Sequence, residues 1–186
     1  EKKLKLKQEI TSRWFREIRD LICRNFEEIE QIGSKPLTKN SNSKRFKKKK
    51  WKRAGGGGGE MSVMYGEVFE KVGVNISCVH GEFSEEFKSQ IPGAEKNGKF
   101  WAAGISVVVH PNNPHVPSAH MNTRFISTSK NWFGGGCDLT PVFSDKFVEN
   151  SFHSELKNCC DGYDLDCYEK FRNWCHDYFF IKHRNE

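Results

Sequence analysis

The stretch "FWAAGISVVVHPNNPHVPSAHMNTRFIS", Phe100–Ser127, decides the fold class. Two runs rich in β-branched and aromatic residues, "FWAAGISVVVH" and "SAHMNTRFIS", flank a proline-rich linker with no helix-length pattern between them. They are expected to be neighbouring antiparallel strands. On a strand, alternate residues share a face and lie about 6.8 Å apart at a rise of roughly 3.4 Å per residue. Ser106, Val108 and His110 then share one face, and Ile105, Val107 and Val109 the other. In the second run His120, Asn122 and Arg124 fall together, opposite Met121, Thr123 and Phe125. If the two strands pair, Ser106, His110, His120, Asn122 and Arg124 line one surface. His115, within the proline loop, looks incidental to it.

Outward from this hairpin the same period recurs. "NWFGGGCDLT" reads as a further strand, and "MSVMYGEVFEKVGVNISCVHGEF" has strand composition punctuated by Gly66 and Gly73. Residues 84–98 read as loop. Before the strands, Leu6, Ile10, Trp14, Phe15, Ile18, Leu21, Ile22, Phe26 and Ile29 recur at helical spacing, followed by a polar loop over 31–45. After Pro141 the period returns to helix. Phe147, Val148, Phe152 and Leu156 mark one helix; Cys167, Tyr168, Phe171, Trp174, Cys175, Tyr178 and Phe179 mark another, with Asp164 or Asp166 as N-cap. The expected fold is α+β, a large antiparallel β-sheet flanked by α-helices, in a single domain over 1–186. It comprises an amphipathic helix over 1–30, antiparallel strands over 46–140 and helices over 144–186.

Composition bounds the function classes. The chain has 186 residues, 36% hydrophobic and 13% aromatic with 15 phenylalanines, which suits a packed core rather than disorder. A net charge of +6 favours anionic partners without choosing among them. No apolar run approaches the roughly 20 residues that span a bilayer. "EKKLKLKQEI" lacks the apolar core of a signal peptide. The 7 cysteines include no C-x-x-C pair, so free thiols in a reducing, cytoplasmic compartment are expected, without a structural zinc site. The closing "FIKHRNE" reads as a helix cut in its middle.

The His120–Asn122–Arg124 face has the chemistry to hold a carboxylate. Arginine grips one through two parallel hydrogen bonds, and histidine moves a proton near neutral pH. The plainer alternative is a solvated sheet face, although such faces usually carry Lys, Glu and Thr. "WFGGGCDLTP" lets another group approach its backbone; Asp138 beside it is either part of a site or the cap of a turn. The Gly55–Gly59 run lacks the lysine and following helix of a phosphate loop. "KRFKKKKWKR" is the best nucleic-acid feature, yet lysine runs also blunt sheet edges, and no nucleic-acid partner is expected. His110, His120, His153 and His183 match no compact metal motif in their spacing, and His153 and His183 fall on the expected helices.

Taken together, "WKRAGGGGG", "GEVFEKVGVNISCVHGEF", "GISVVVHPNNPHVPSAHMNTRF", "WFGGGCDLTP" and "FIKHRNE" resemble, in order, the oxygen-dependent coproporphyrinogen-III oxidases of haem biosynthesis. The resemblance covers most of residues 51–186. It implies oxidative decarboxylation of two propionates of coproporphyrinogen III to vinyl groups, giving protoporphyrinogen IX, CO2 and hydrogen peroxide. O2 is the co-substrate, with no flavin or haem, and the family forms homodimers. By the same resemblance Ser106, Asn122, Thr123 and Arg124 bind substrate, His120 is the proton donor, and Asp138 supports activity. His110, His120, His153 and His183 match ligands of a divalent metal, manganese among the candidates. Two departures stand out. The family continues past "KHRNE" into a glycine-rich strand, a paired-aspartate motif and a dimerisation segment, so this chain corresponds to the N-terminal part of the domain. The segment after Arg124 is short, and one tryptophan, Trp132, stands where two are common. The rival readings are a histidine-ligated metal oxygenase, a basic nucleic-acid-binding module and a tetrapyrrole binder without turnover.

Overall fold

The computed structural model describes residues 2–34, 44–95 and 97–183. Its six strands are β1 (Lys47–Lys52), β2 (Gly57–Met64), β3 (Phe69–Glu82), β4 (Lys99–Pro111), β5 (Ser118–Ser127) and β6 (Asn131–Thr140). Each pairs antiparallel with the next, forming one meandering sheet in chain order. The helices are α1 (Lys2–Gly33), the single turn α2 (Glu85–Lys88), α3 (Lys146–Asp161) and α4 (Cys167–Phe179). The expected α+β class and the flanking helices are therefore present. No helix among the described residues is long and apolar enough to cross a membrane.

The alternation expected for β4 sets which face is the core. Ala103, Ile105, Val107 and Val109 are buried, opposite Val72 and Val74 of β3 and alongside Phe125 of β5. Helix α1 lies across this face and packs on β3 and β4. Its buried stripe is Thr11, Phe15, Arg19, Cys23 and Glu30. Leu6, Ile10, Trp14, Leu21 and Ile29, which the periodicity also counted, stay largely exposed. Two charged residues enter the stripe because each finds partners: Arg19 binds Asp20, Glu60 and Ser62, and Glu30 accepts from the backbone of residues 67–69.

The sequence reading is corrected at several places. Gly73 does not punctuate β3 but lies within it, paired with Val63 and Val108. The glycine run turns the β1–β2 hairpin and then continues as strand, with Gly56 and Gly57 at φ 110° and 82°, where side chains are disfavoured. The lysine run is the edge strand β1, exposed throughout, as its composition led one to expect. Helix α2 interrupts the loop expected over 84–98, and α1 runs on to Gly33. Residues 35–43 of the expected 31–45 loop lie outside the described residues. Helix α3 begins at Asp145, whose carboxylate accepts from the N–H groups of Phe147 and Val148. Asp166 occupies the N-cap of α4 without a capping bond. That helix ends at Phe179, because Phe180 turns to an extended ψ of 121°. "FIKHRNE" is thus no continuing helix over its described residues, and His183 sits in a turn beyond α4.

Candidate active site

The face of the sheet opposite α1 is built from very different residues. Its cross-strand rows follow from the register. One runs Val63–Gly73–Val108–His120–Asp138, the next Met61–Asn75–Ser106–Asn122–Gly136, and a third Gly59–Ser77–Gly104–Arg124–Gly134. Glycine, serine and asparagine dominate, so the floor is low and polar where the α1 face is tall and apolar. Helix α4 closes the β6 side. A Cβ placed on Gly136 would stand 3.4 Å from Cys175 Sγ and 3.6 Å from the Phe179 ring, so glycine there lets α4 approach the strand.

His120 and Asp138 are directly paired across β5 and β6, with Nδ1 and Oδ1 2.9 Å apart and both side chains partly buried. Thr140 donates to the other carboxylate oxygen at 3.4 Å. Asp138 therefore works from within a strand rather than as a turn cap. By accepting the Nδ1 proton it fixes the imidazole tautomer and leaves Nε2 free to exchange a proton. The Phe179 ring meets the imidazole edge-on at 6.2 Å, shielding one side of it. Four residues along β5 from His120, the exposed Arg124 donates through Nη2 to Asn122 Oδ1 at 2.8 Å. That bond orients the guanidinium and leaves most of its N–H donors for an anion.

Ser106 joins this group, half-buried on β4 opposite Asn122. His110 shares the face at the exposed end of β4, one diagonal step from His120. Thr123 does not join. It pairs with Ile105 on the α1 face, so its side chain is turned away from Asn122 and Arg124. His153 is held on α3 by Tyr168, whose hydroxyl lies 3.1 Å from Nδ1.

The four histidines do not build a metal centre here. Among the described residues no three His, Cys, Asp or Glu side chains converge as a metal site. The Nδ1 atoms of His120 and His153 are already engaged, and His153 and His183 belong to α3 and the turn after α4.

Two elements of the site escaped the sequence reading. The wall formed by Cys175 and Phe179 depends on how α4 docks. Asn75 shares the floor with Ser106 and Asn122; strand alternation puts Gly73, Asn75 and Ser77 on one face, but only the β3–β4 register brings that face to His120. Thiol chemistry is muted: burial raises the Cys137 thiol above its ordinary value, helped by nearby Cys175 and Asp138.

The family model described as coproporphyrinogen III oxidase matches residues 10–186. An oxygen-dependent coproporphyrinogen-III oxidase of Rickettsia bellii (strain OSU 85-389) is 53% identical over 182 residues, covering 98% of this chain and 64% of the relative. That of Rickettsia akari (strain Hartford) is 54% identical over 179 residues, covering 96% of this chain and 63% of the relative. The chain thus spans somewhat under two thirds of the length of these curated relatives. With nearly its whole length matched, the chain belongs to the coproporphyrinogen III oxidase family.

Proposed function

We propose that this chain binds coproporphyrinogen III on the glycine-floored face and takes part in the oxidative decarboxylation of two of its propionates, giving protoporphyrinogen IX. The observation that carries this reading is the His120–Asp138 pair set four residues from Arg124 along β5 on a face of small residues. A flexible, carboxylate-fringed macrocycle needs a flat floor, a cation for a propionate and a proton carrier, and this face offers all three. Arg124 anchors a propionate. His120 exchanges a proton through Nε2, with Asp138 stabilising the imidazolium. The Oδ2 side of Asp138 is placed to accept from a pyrrole N–H and to steady positive charge developing on the ring.

For each propionate the net change balances with O2 as co-substrate. The C–CO2 bond breaks and its electron pair becomes the vinyl C=C bond as a hydride equivalent leaves the neighbouring carbon. That hydride and one proton reduce O2 to hydrogen peroxide. The substrate itself supplies the electrons, so neither flavin nor haem enters the scheme.

The reading also places the protein in the cytoplasm as a homodimer. All seven cysteines are unbridged, which suits a reducing compartment. The exposed Trp174, Tyr178 and Phe147 of the α3–α4 hairpin suit a surface that is covered in an assembly.

Binding is tested with coproporphyrin III, the stable oxidised ring, followed by quenching of tryptophan fluorescence. Saturable binding is expected, weakened about tenfold or more by Arg124→Ala. Equal affinity in the two proteins refutes the anchoring role. Coproporphyrinogen III supplied aerobically is expected to lose CO2 in two steps. A chain that binds the ring and releases no CO2 refutes turnover and leaves a tetrapyrrole-binding module.

A further inference from the structure

Helix α1 carries its charge against its own dipole. Residues 2–16 hold six cations, Lys2, Lys3, Lys5, Lys7, Arg13 and Arg16, and one anion, Glu9. Over residues 17–33 the balance reverses, with Arg19 and Arg24 against five acidic residues. The N-terminal end of a helix is electropositive, so cations there are unfavourable, and like charges one turn apart, such as Lys3 and Lys7, destabilise it further. The chain does not relieve this internally. Arg13 makes a long, exposed ion pair with Glu17 at 3.7 Å, and the other five cations have no acidic partner among the described residues.

The same half of α1 shows an apolar stripe outside the one packed on the sheet. Leu6, Ile10 and Trp14 recur at intervals of four and are 55%, 49% and 41% exposed. Lys3, Lys7 and Arg13, all exposed, stand one turn from Leu6 or Ile10. The Trp14 ring is held between Phe15 and Phe133, with centroids 4.9 and 6.4 Å away. Arg16 extends the basic surface to Lys50 of β1, the two bordering one groove beside α1.

We propose that the N-terminal half of α1 docks this chain on an anionic lipid surface, lying in the interface rather than crossing it. Basic and apolar side chains on one helix face need a partner that is anionic outside and apolar just beneath, and a bilayer with acidic headgroups has that layering. Leu6 and Ile10 enter the acyl boundary and Trp14 sits at headgroup level. The lysine stems lie along the apolar side while their ammonium groups reach the phosphates. Nucleic acid offers the charge alone and leaves Leu6 and Ile10 in water. The cytoplasmic leaflet is the anionic one, in keeping with the proposed compartment. Because α1 covers the sheet face opposite His120, docking leaves the glycine-floored face open.

Co-flotation of the full chain with vesicles tests this. Binding to phosphatidylcholine vesicles containing phosphatidylserine is expected, at least about tenfold tighter than to phosphatidylcholine alone. It should fall about tenfold between low salt and about 0.5 M NaCl. Changing Lys3, Lys5 and Lys7 together to glutamine should weaken it about 100-fold, at roughly fivefold per cation. Leu6→Ser with Ile10→Ser should weaken it about tenfold or more. All five positions are exposed, so melting temperatures should stay within about 2 °C of wild type. Equal binding to the two vesicle types overturns the proposal, and this readout needs no variant. A triple glutamine variant that binds as wild type does overturns it as well. Binding that survives the two serines, with a tighter hold on a random DNA duplex than on vesicles, assigns the cations to nucleic acid and overturns it equally.

Discussion

Replacing Glu30 by glutamine is expected to cost the fold several kcal/mol without touching the candidate site. Glu30 is completely buried at the end of α1. Its Oε1 accepts from Ser34 Oγ at 2.8 Å and from the Glu67 N–H at 2.6 Å, and its Oε2 accepts from the N–H groups of Val68 and Phe69, each at 3.1 Å. Gly66 lies against this carboxylate so closely that a Cβ there would collide with it. The bonded turn in turn receives Asn112, whose side chain donates to the carbonyls of Gly66 and Glu67, so the start of the β4–β5 loop depends on it. A glutamine turns its NH2 group on the N–H groups of Val68 and Phe69 in one orientation and on that of Glu67 in the other, where the Ser34 hydroxyl can accept instead. One or two hydrogen bonds to a charged acceptor are then lost, at about 1.5–3 kcal/mol each, giving roughly 2–6 kcal/mol in all. For a chain of this size that lowers the melting temperature by about 10 °C.

Circular dichroism melts at pH 7 measure the loss. Burial alone works to raise the Glu30 carboxyl, yet the hydrogen bonds from Glu67, Phe69, Ser34 and Val68 hold it below its ordinary value. A carboxyl depressed in the folded state stabilises fully above its unfolded pKa and loses that contribution as pH falls through the folded one. The gap between wild type and Glu30→Gln is therefore constant from pH 7 to about 5 and closes below about 4.5. A variant melting within two degrees of wild type at pH 7, or a gap that widens in acid, refutes the reasoning.

Two further outcomes bear on the site and its compartment. Asp138→Asn keeps the shape of the dyad but removes the charge that stabilises the imidazolium and the developing charge on the ring; turnover of coproporphyrinogen III should fall about 100-fold, well beyond any loss of coproporphyrin III affinity. Equal losses in affinity would show that Asp138 holds the substrate rather than the histidine. Among the thiols, the exposed Cys159 should react first with a disulfide reagent at pH 8. Cys23 should react only on unfolding, because burial pushes its thiol up to about 11. Mapping of labelled peptides against time checks that order, and early labelling of Cys23 contradicts the packing of α1.

Period-two alternation made the strands legible, and it failed where the governing interaction was distant. β5 and β6 begin and end where the runs "SAHMNTRFIS" and "NWFGGGCDLT" do, because a tight turn at residues 128–130 separates two alternating segments. Glycine composition misled at Gly73, where a strand paired on both sides tolerates a missing side chain. The helical stripe of α1 was only half legible. Apolarity pointed to Leu6, Ile10 and Leu21, while the sheet beneath supplied partners for Arg19 and Glu30 and buried those instead. In the site, alternation united His120, Asn122 and Arg124 within one strand. The His120–Asp138 pair needed the β5–β6 register, and Asn75 needed the β3–β4 register across the intervening segment 83–98.

The two faces of the sheet explain why the candidate site lies where it does. A helix packed on a sheet buries tall apolar side chains, and the α1 face supplies Val72, Val74, Ile105, Val107, Val109 and Phe125. The other face offers Gly73, Gly104, Gly134 and Gly136 with Ser77, Ser106, Asn75 and Asn122. A helix laid on that surface would gain little apolar burial and would strand the amides and hydroxyls beneath it. Such a floor is a poor partner for protein and suits the flexible, carboxylate-fringed ring proposed above, which would fill the shallow space and satisfy the donors. Helix α4 respects this division, closing on the sheet at its β6 margin over Gly136. The polarity that makes the face a weak core is thus the property that a tetrapyrrole carboxylate site requires.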